Sequence, residues 1–433
     1  MASVLSRRRE HVETEASKLV DNARPLKVAY MMSRFPALTE TFILYEMQAM
    51  ENIGVQIEVY PLLRGQVDVM HDEAKSFVDR AHFVPFISLP ILRANIDFAL
   101  RKPRRYFGAL WSLLKGTLGS KRYFTGALGI FPKSVLFARL MKADGVTHIH
   151  AHFASHPAAA AFVIGRLVDI PYSFTAHGSD IHRDQTMLKE KVAEAAFALP
   201  ISSYNRDVIL RACEGRYGEK LLVVHCGVDT EIFYPPSNSD GRAKLDKFTI
   251  VCIGTLHEVK GQAYLIEACR LLRERDVEFN CLFVGDGPDM VALKRLVDQH
   301  ELHDFVHFEG RRTRAEILEL LGVADVLVAP SVPSQDGRRE GIPVVLMEAM
   351  ACGLPVVSSR LSGIPELVDD GRSGLLVSPG DVSGLAAAIQ VLHGDEALRR
   401  RLGSAGRAKV EQGFSLDSNA ARRADLYYSF RES

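Results

Sequence analysis

The sequence predicts an α/β protein built from two doubly wound parallel-sheet domains in tandem. Three observations point there. The chain has 433 residues, 47% hydrophobic and 24% charged, which is too long for one ordinary domain and apolar enough for two packed cores. Short apolar runs alternate with helical stretches along most of its length, the pattern of strands covered on both faces by crossover helices. The alternation breaks at Tyr234, Pro235, Pro236, Ser237, Asn238, Ser239, Asp240 and Gly241, where two prolines and then small polar residues read as a linker.

Taken in order, residues 1–24 are polar and read as a flexible tail. Residues 25–238 form the first domain. Its opening run, 26–32, fits a buried parallel strand, and a helix follows from about Thr39, with Thr39 or Thr41 as N-cap and Phe42, Ile43 and Met47 on one side. Further strands are expected at 55–62, 147–153, 172–176, 197–202 and 221–224. Residues 245–412 form the second domain, with strands at 248–254, 279–284, 306–308, 325–330, 355–358 and 375–377 and helices at 260–273, 315–321 and 343–351. In residues 413–433, Leu416, Leu426, Tyr427 and Phe430 recur at loosely helical spacing, so a terminal helix should need a surface to pack on. Ligands of such sheets sit beyond the carboxyl ends of the strands, and two facing sheets place the site in the deep cleft between them.

Composition narrows the function. Net charge is zero, which argues against a nucleic-acid binder. The charge is uneven, however: residues 91–145 carry eleven Lys and Arg against two Asp and no Glu. Phe98, Tyr106, Phe107, Trp111, Tyr123 and Phe124 lie in the same stretch. The six cysteines are scattered without a CxxC pair and read as small core residues in a reduced compartment. The N-terminal residues show no apolar signal core, and no run of eighteen apolar residues occurs. A cytoplasmic protein is expected.

Several strand-end segments carry chemistry. Gly254, Thr255, Leu256, His257, Glu258, Val259, Lys260 and Gly261 follow the first strand of the second domain and open a helix. Glycine there admits a phosphate and Lys260 adds a charge, although a tight turn with a solvated lysine explains the same residues. Val284, Gly285, Asp286, Gly287 and Pro288 make a second glycine turn. The stretch 331–348 is the most informative: a polar loop ends in Glu340, Gly341 and Ile342, then Pro343 starts an apolar helix containing Glu348. Along a helix Glu340 and Glu348 would be roughly 12 Å apart, too far for a shared-proton pair and suited to gripping two ends of one extended ligand. His148, His150 and His152 alternate on one strand face, a weak zinc signal without a carboxylate or Cys companion, so no metal is assigned. His177 follows another strand just before Gly178, where a ligand contact competes with a satisfied core histidine. No nucleophile elbow, HExxH or Cys–His arrangement stands out, so catalysis would rest on orientation and on stabilising a leaving diphosphate.

In combination these residues resemble glycosyltransferase family 4, retaining enzymes of GT-B fold. The match runs through 254–261, 284–288, Phe308-Glu309-Gly310, 325–331, 340–357, Gly363-Ile364-Pro365-Glu366 and 374–377. The N-terminal half, through 33–42, 148–153 and 176–180, looks like the branch that makes exopolysaccharides such as colanic acid. The resemblance implies two Rossmann-like domains, an N-terminal acceptor half and a C-terminal donor half, and a terminal helix crossing back onto the first domain. It implies transfer of a hexose from a nucleotide-diphosphate sugar, used as co-substrate without a further cofactor, to a saccharide or lipid-linked saccharide. His177, Glu340 and Lys260 would be catalytic. Gly254, Thr255, Lys260, Gly310, Arg311, Glu340, Gly341, Ile342 and Glu348 would hold the donor, with Glu348 on the ribose and Lys260 on the diphosphate. His150, His152, Asp180 and Glu40 would lie on the acceptor side.

Two departures stand out. Thr255 occupies the place where many members carry Arg, so the diphosphate lacks one cation unless Arg338, Arg339 or another residue compensates. The first N-terminal loop has Phe35-Pro36-Ala37-Leu38-Thr39 instead of a Gly-Gly pair. The basic aromatic stretch 92–142 suits peripheral contact with an anionic membrane at its inner face; a solvated helical face is the plainer reading. A GT-B epimerase and a non-catalytic saccharide- or nucleotide-binding protein remain alternatives.

Overall fold

The apolar runs become strands wherever both faces can be covered. The computed structural model describes residues 26–36, 41–65, 72–235 and 246–430; the tail, Thr39, Glu40 and most of the linker lie outside them. The first domain runs β1 (Lys27–Phe35), α1 (Thr41–Asn52), β2 (Gln56–Arg64), α2 (Asp72–Asp79), α3 (Leu89–Arg101), α4 (Pro103–Thr117), α5 (Lys121–Ala143), β3 (His148–His152), α6 (His156–Val168), β4 (Tyr172–Ala176), α7 (Ser179–His182), α8 (Leu188–Glu194), β5 (Phe197–Pro200) and α9 (Ser203–Ala212). The second runs β6 (Phe248–Ile253), α10 (Gln262–Glu274), β7 (Phe279–Val284), α11 (Met290–Gln299), β8 (Val306–Gly310), α12 (Arg314–Val323), β9 (Val326–Ala329), α13 (Val344–Ala351), β10 (Val356–Ser359), α14 (Ile364–Leu367), β11 (Leu375–Val377), α15 (Val382–Gly394) and α16 (Glu396–Gly413). A last helix, α17 (Leu416–Ser429), follows.

Both sheets are wholly parallel, in the orders β2-β1-β3-β4-β5 and β11-β10-β9-β6-β7-β8. Strand order therefore reverses between β1 and β3 in one domain and between β6 and β9 in the other, the positions where such sheets open a crevice at their carboxyl ends. Residues 221–224 were expected to add a strand. Leu222 and Val224 do donate to Ala198 and Pro200 on β5, but the segment makes a single isolated bridge, Ala198 to Leu221. It lies at the β5 edge of the sheet, and no further strand among the described residues pairs with it.

The basic aromatic stretch forms α3, α4 and α5. Ser88 and Ser120 cap α3 and α5 by accepting from Ile91 and Tyr123 amides. Lys133 of α5 is buried and donates to the carbonyls of Leu62 and Val84 at 2.6 and 2.7 Å, tying the helix to β2. Burial lowers its pKa to about 8. Among the described residues α5 is the one helix with the length and hydropathy of a membrane span, but most of it is buried, and it packs against α6.

α17 packs on α1 of the first domain. Tyr427 is fully buried there, its ring 4.8 Å from His148 and 5.9 Å from Phe197. The two domains also meet at Glu366, which accepts from the Ser203 and Tyr204 amides at the start of α9 and lies 3.4 Å from His225. A carboxylate from one domain thus satisfies the free amides that begin a helix of the other.

Candidate active site

Of the residues expected to hold a donor, Lys260 and Glu340 meet at the β6/β9 crevice. Gly261 turns the chain into α10 with φ +72°, and a Cβ there would stand 1.9 Å from the Pro330 carbonyl oxygen. Only glycine lets the 254–261 loop lie this close to the loop leaving β9. The contact carries Lys260 against that second loop, and its ammonium sits 3.0 Å from the Glu340 carboxylate. Both side chains keep partial solvent access, so the pair can open for a ligand. Thr255 is exposed. Of the two arginines considered as substitutes for a cation there, Arg338 reaches the loop, its Nη1 3.4 Å from His257 Nε2. Arg339 turns to the other domain and donates to the Tyr204 hydroxyl at 3.0 Å. Gly310 ends β8 beside the second glycine turn, where the Gly285 amide donates to its carbonyl. Arg311 is exposed and lies 3.3 Å from Asp286.

Glu348 sits within α13, whose other residues are strongly apolar. Burial raises its pKa from 4.5 to about 7, against the lowering pull of Arg314. Arg314 begins α12 and places its guanidinium 4.0 Å over the Tyr45 ring of α1 and 5.2 Å from the Phe233 ring. Its Nε is buried without a hydrogen-bond partner. Sequence reasoning missed both Arg314 and Tyr45, which carry the charge beside Glu348 across to the first domain.

Facing this side, His177 follows β4. A Cβ on Gly341 would stand 2.3 Å from the His177 carbonyl oxygen, so the two loops meet backbone to backbone across the cleft. The His177 ring packs 4.8 Å from both Phe42 and Phe153. Its Nε2 lies 3.1 Å from His152 Nδ1 and its Nδ1 3.9 Å from Cys226 Sγ. Burial, with His152 next to it, holds His177 well below the ordinary histidine pKa, so the neutral ring prevails.

Behind it lies a buried polar chain. His152 Nε2 is 3.2 Å from Glu46 Oε1, and the same oxygen accepts from Tyr30 at 2.9 Å and lies 3.0 Å from Arg423 Nη1 of α17. Burial alone would raise Glu46, but Arg423, His152 and Tyr30 together hold it at about 2. His150 lies between Ser173 and Thr175 hydroxyls at 2.8 and 2.9 Å. Glu46, His150 and His152 offer ligand atoms close enough to share a metal ion, so the carboxylate companion that the sequence did not reveal exists in space. The Arg423 guanidinium, however, already contacts Glu46 and lies 3.5 Å from His150, supplying the cation of this cluster. Nothing in sequence flags Glu46 or Arg423, since each lies in a helix where charged residues are ordinary. The Asp180 carboxylate is taken by three backbone amides, Ala154, His177 and Gly178, at 2.7 to 3.0 Å. It fastens the ends of β3 and β4 together.

Two Rossmann-like domains whose strand ends meet over a Lys–Glu pair on one side and a histidine chain on the other define a glycosyltransferase of GT-B architecture. Residues 237–409 match the family model described as glycosyl transferases group 1. AmsK of Erwinia amylovora, an amylovoran biosynthesis glycosyltransferase, is 31% identical over 407 residues, covering 90% of this chain and 96% of that protein. WcaL of Escherichia coli K12, named for colanic acid biosynthesis, is 31% identical over 415 residues with the same coverage. The chain belongs to the group 1 glycosyltransferases. Among solved structures, sucrose-phosphate synthase of Thermosynechococcus elongatus superposes with a TM-score of 0.71 at 20% identity over 94% of this chain and all of that one. HepE of Anabaena, solved in complex with UDP-glucose, gives 0.70 at 19% identity over 93% and 100%. These two share its fold.

Proposed function

We propose that the chain transfers a hexose from a nucleotide-diphosphate sugar to a saccharide acceptor, free or lipid-linked, with retention of anomeric configuration, in exopolysaccharide or glycolipid biosynthesis as a family 4 enzyme. The observation that carries this reading is the Lys260–Glu340 pair at the β6/β9 crevice, held by the Gly341 contact against the His177 loop. With donor bound, Lys260 and the amides of Gly341 and Ile342 hold the leaving diphosphate, and Glu340 turns to the sugar hydroxyls. Glu348 accepts from the ribose. Neutral His177 lines the sugar face. The acceptor hydroxyl enters on the face the diphosphate leaves, and its proton passes to the departing oxygen, a course that needs no protein nucleophile. Orientation and charge stabilisation provide the rate.

The acceptor half would work in the cytoplasm at the inner face of the membrane. Leu92, Ile96 and Leu100 repeat at helical spacing on the exposed side of α3, as do Phe107 and Trp111 on α4. Leu100 is 76% and Trp111 67% exposed, and Arg101, Lys102, Arg104 and Arg105 lie between them. An exposed apolar face interleaved with cations matches an anionic bilayer.

Incubation of the purified protein with a panel of nucleotide sugars, EDTA present, tests donor use. Calorimetry reads donor binding, and the anomeric proton of any glycoside formed reads stereochemistry. Binding abolished in Lys260→Ala, with an axial product from an axial donor, supports the reading; an inverted product or unchanged binding in that variant refutes it. Co-sedimentation with vesicles containing phosphatidylglycerol, lost in Leu100→Ser/Trp111→Ser, tests the membrane face.

A further inference from the structure

A cavity of about 300 Å³ opens beside the histidine chain, lined by Ser33, Tyr123, Phe153, Ser155, Ser179, Asp180 and Asp184 with three arginines, Arg122, Arg183 and Arg338. Ser33 belongs to β1, Phe153 and Ser155 follow β3, and Ser179 follows β4. The cavity therefore lies at the carboxyl ends of the first domain's strands, with Arg338 reaching in from the donor loop. Its volume suits one sugar unit.

The positive charges around it are only partly balanced among the described residues. The Asp180 oxygens are occupied by three backbone amides. Asp184 accepts from the Thr186 amide and hydroxyl with one oxygen and from Ser120 with the other. Asp336 at the rim accepts from Arg338 Nε at 2.8 Å and lies 3.9 Å from Arg183. The Arg122 guanidinium is exposed and donates no hydrogen bond among the described residues, although its charge helps to lower the Asp184 carboxyl. Behind the wall, fully buried Lys191 donates to the Ala154 and Thr186 carbonyls. Among the described residues three arginines thus line the cavity against two carboxylates, Asp180 and Asp184, both already bonded to backbone or hydroxyl donors, and Asp336 at the rim is likewise taken by the Ser334 hydroxyl.

Helix termini add to the field. Lys121 and Arg122 occupy the first turn of α5, with no acidic residue there, a position where the helix dipole repels cations. Ser155, which lines the cavity just before α6, makes no side-chain cap there. Residues that oppose a local rule are expected at functional or strained sites.

We infer that this cavity binds an oxyanion carried by the acceptor: the carboxylate of an acidic sugar or the phosphate of a phosphorylated or diphosphate-linked saccharide. The inference rests on the transferase reading and gives its acceptor a chemical class. Arg122 and Arg183 grip the anion and so place the sugar next to it in front of His177.

The test uses the full chain and three probes: methyl glucoside, methyl glucuronide and glucose 1-phosphate, titrated by calorimetry at low salt. One charged probe at least should bind roughly tenfold or more tightly than the neutral glucoside. That preference should vanish in Arg122→Gln/Arg183→Gln and survive in Lys260→Ala; Arg338 is left intact because it also borders the donor loop. Whether the glucuronide or the phosphate leads identifies the source of the anion. Donor binding by the double variant should equal that of the parent, which verifies its fold and separates this outcome from failure of the donor assignment. Equal affinity for neutral and charged probes, no binding by any probe, or a preference lost in Lys260→Ala but kept in the arginine variant would each overturn the inference.

Discussion

Arg423→Met tests whether the last helix holds the first domain together through charge. Glu46 is 7% exposed and Arg423 2% exposed, with 3.0 Å between their charged atoms. Held at about 2 against an ordinary 4.5, the Glu46 carboxylate contributes about 3 kcal/mol at neutral pH, taking ~1.36 kcal/mol per pH unit. An independent scale agrees: removing one partner of a buried pair costs ~3–5 kcal/mol. Urea titration read by pulse proteolysis, with fragments of the two domains resolved by mass, follows the first domain alone. At neutral pH Arg423→Met should lose about 3 kcal/mol, and Glu46→Gln/Arg423→Met should lose clearly less than the sum of the single variants. The pH dependence has a definite sign. Because the folded pKa is depressed, the stabilisation is complete above pH 4.5 and disappears as pH falls toward 2. Glu46→Gln lacks it, so its deficit relative to the parent should close over the same window. A single-variant cost under about 1 kcal/mol, as an exposed pair gives, or strict additivity would refute this account.

Glu348 titrates at about 7 because of burial. If its ionised form accepts from donor hydroxyls, donor affinity should rise with pH between about 6 and 8, and calorimetry of Glu348→Gln should show that slope gone. Glu340→Gln frees Lys260 from its 3.0 Å partner; it should bind bare nucleoside diphosphate at least as tightly as the parent while losing roughly tenfold or more affinity for the intact sugar nucleotide, as competition titrations would reveal. Gly341→Ala puts a methyl 2.3 Å from the His177 carbonyl, which must push the domains apart at the reacting centre. kcat should fall by roughly a hundredfold with the fold retained, as initial rates and circular dichroism together would show.

The fold class was legible because covering both faces of a parallel sheet requires uniform apolar runs, and those survive in one dimension. The runs at 172–176, 279–284 and 375–377 coincide with β4, β7 and β11. The run at 221–224 was as apolar as its neighbours, yet pairing depends on what lies on both sides, which no local pattern encodes. The strand-end loops were legible for a similar reason, since glycine and proline punctuate them. Glu46 and Arg423 were not. Each is a charged residue in an amphipathic helix, and their meaning comes only from a contact between helices at opposite ends of the chain. Arg314 is hidden in the same way, because a cation opening α12 looks like surface until Tyr45 arrives from the other domain.

That long-range contact shapes how the protein is made. The first domain is discontinuous: its sheet is translated early, but the guanidinium that neutralises Glu46 emerges last. At ~5–20 residues per second the nascent sheet, whose last strand ends at Pro200, waits roughly 11 to 45 s for Arg423. Until then Glu46, Tyr30 and the histidines remain open to water, so the second domain can finish folding before the first acquires its final element. Packing of α17 on α1 is therefore a late step, and the Glu46 cluster stays unsealed until that helix arrives after the second domain.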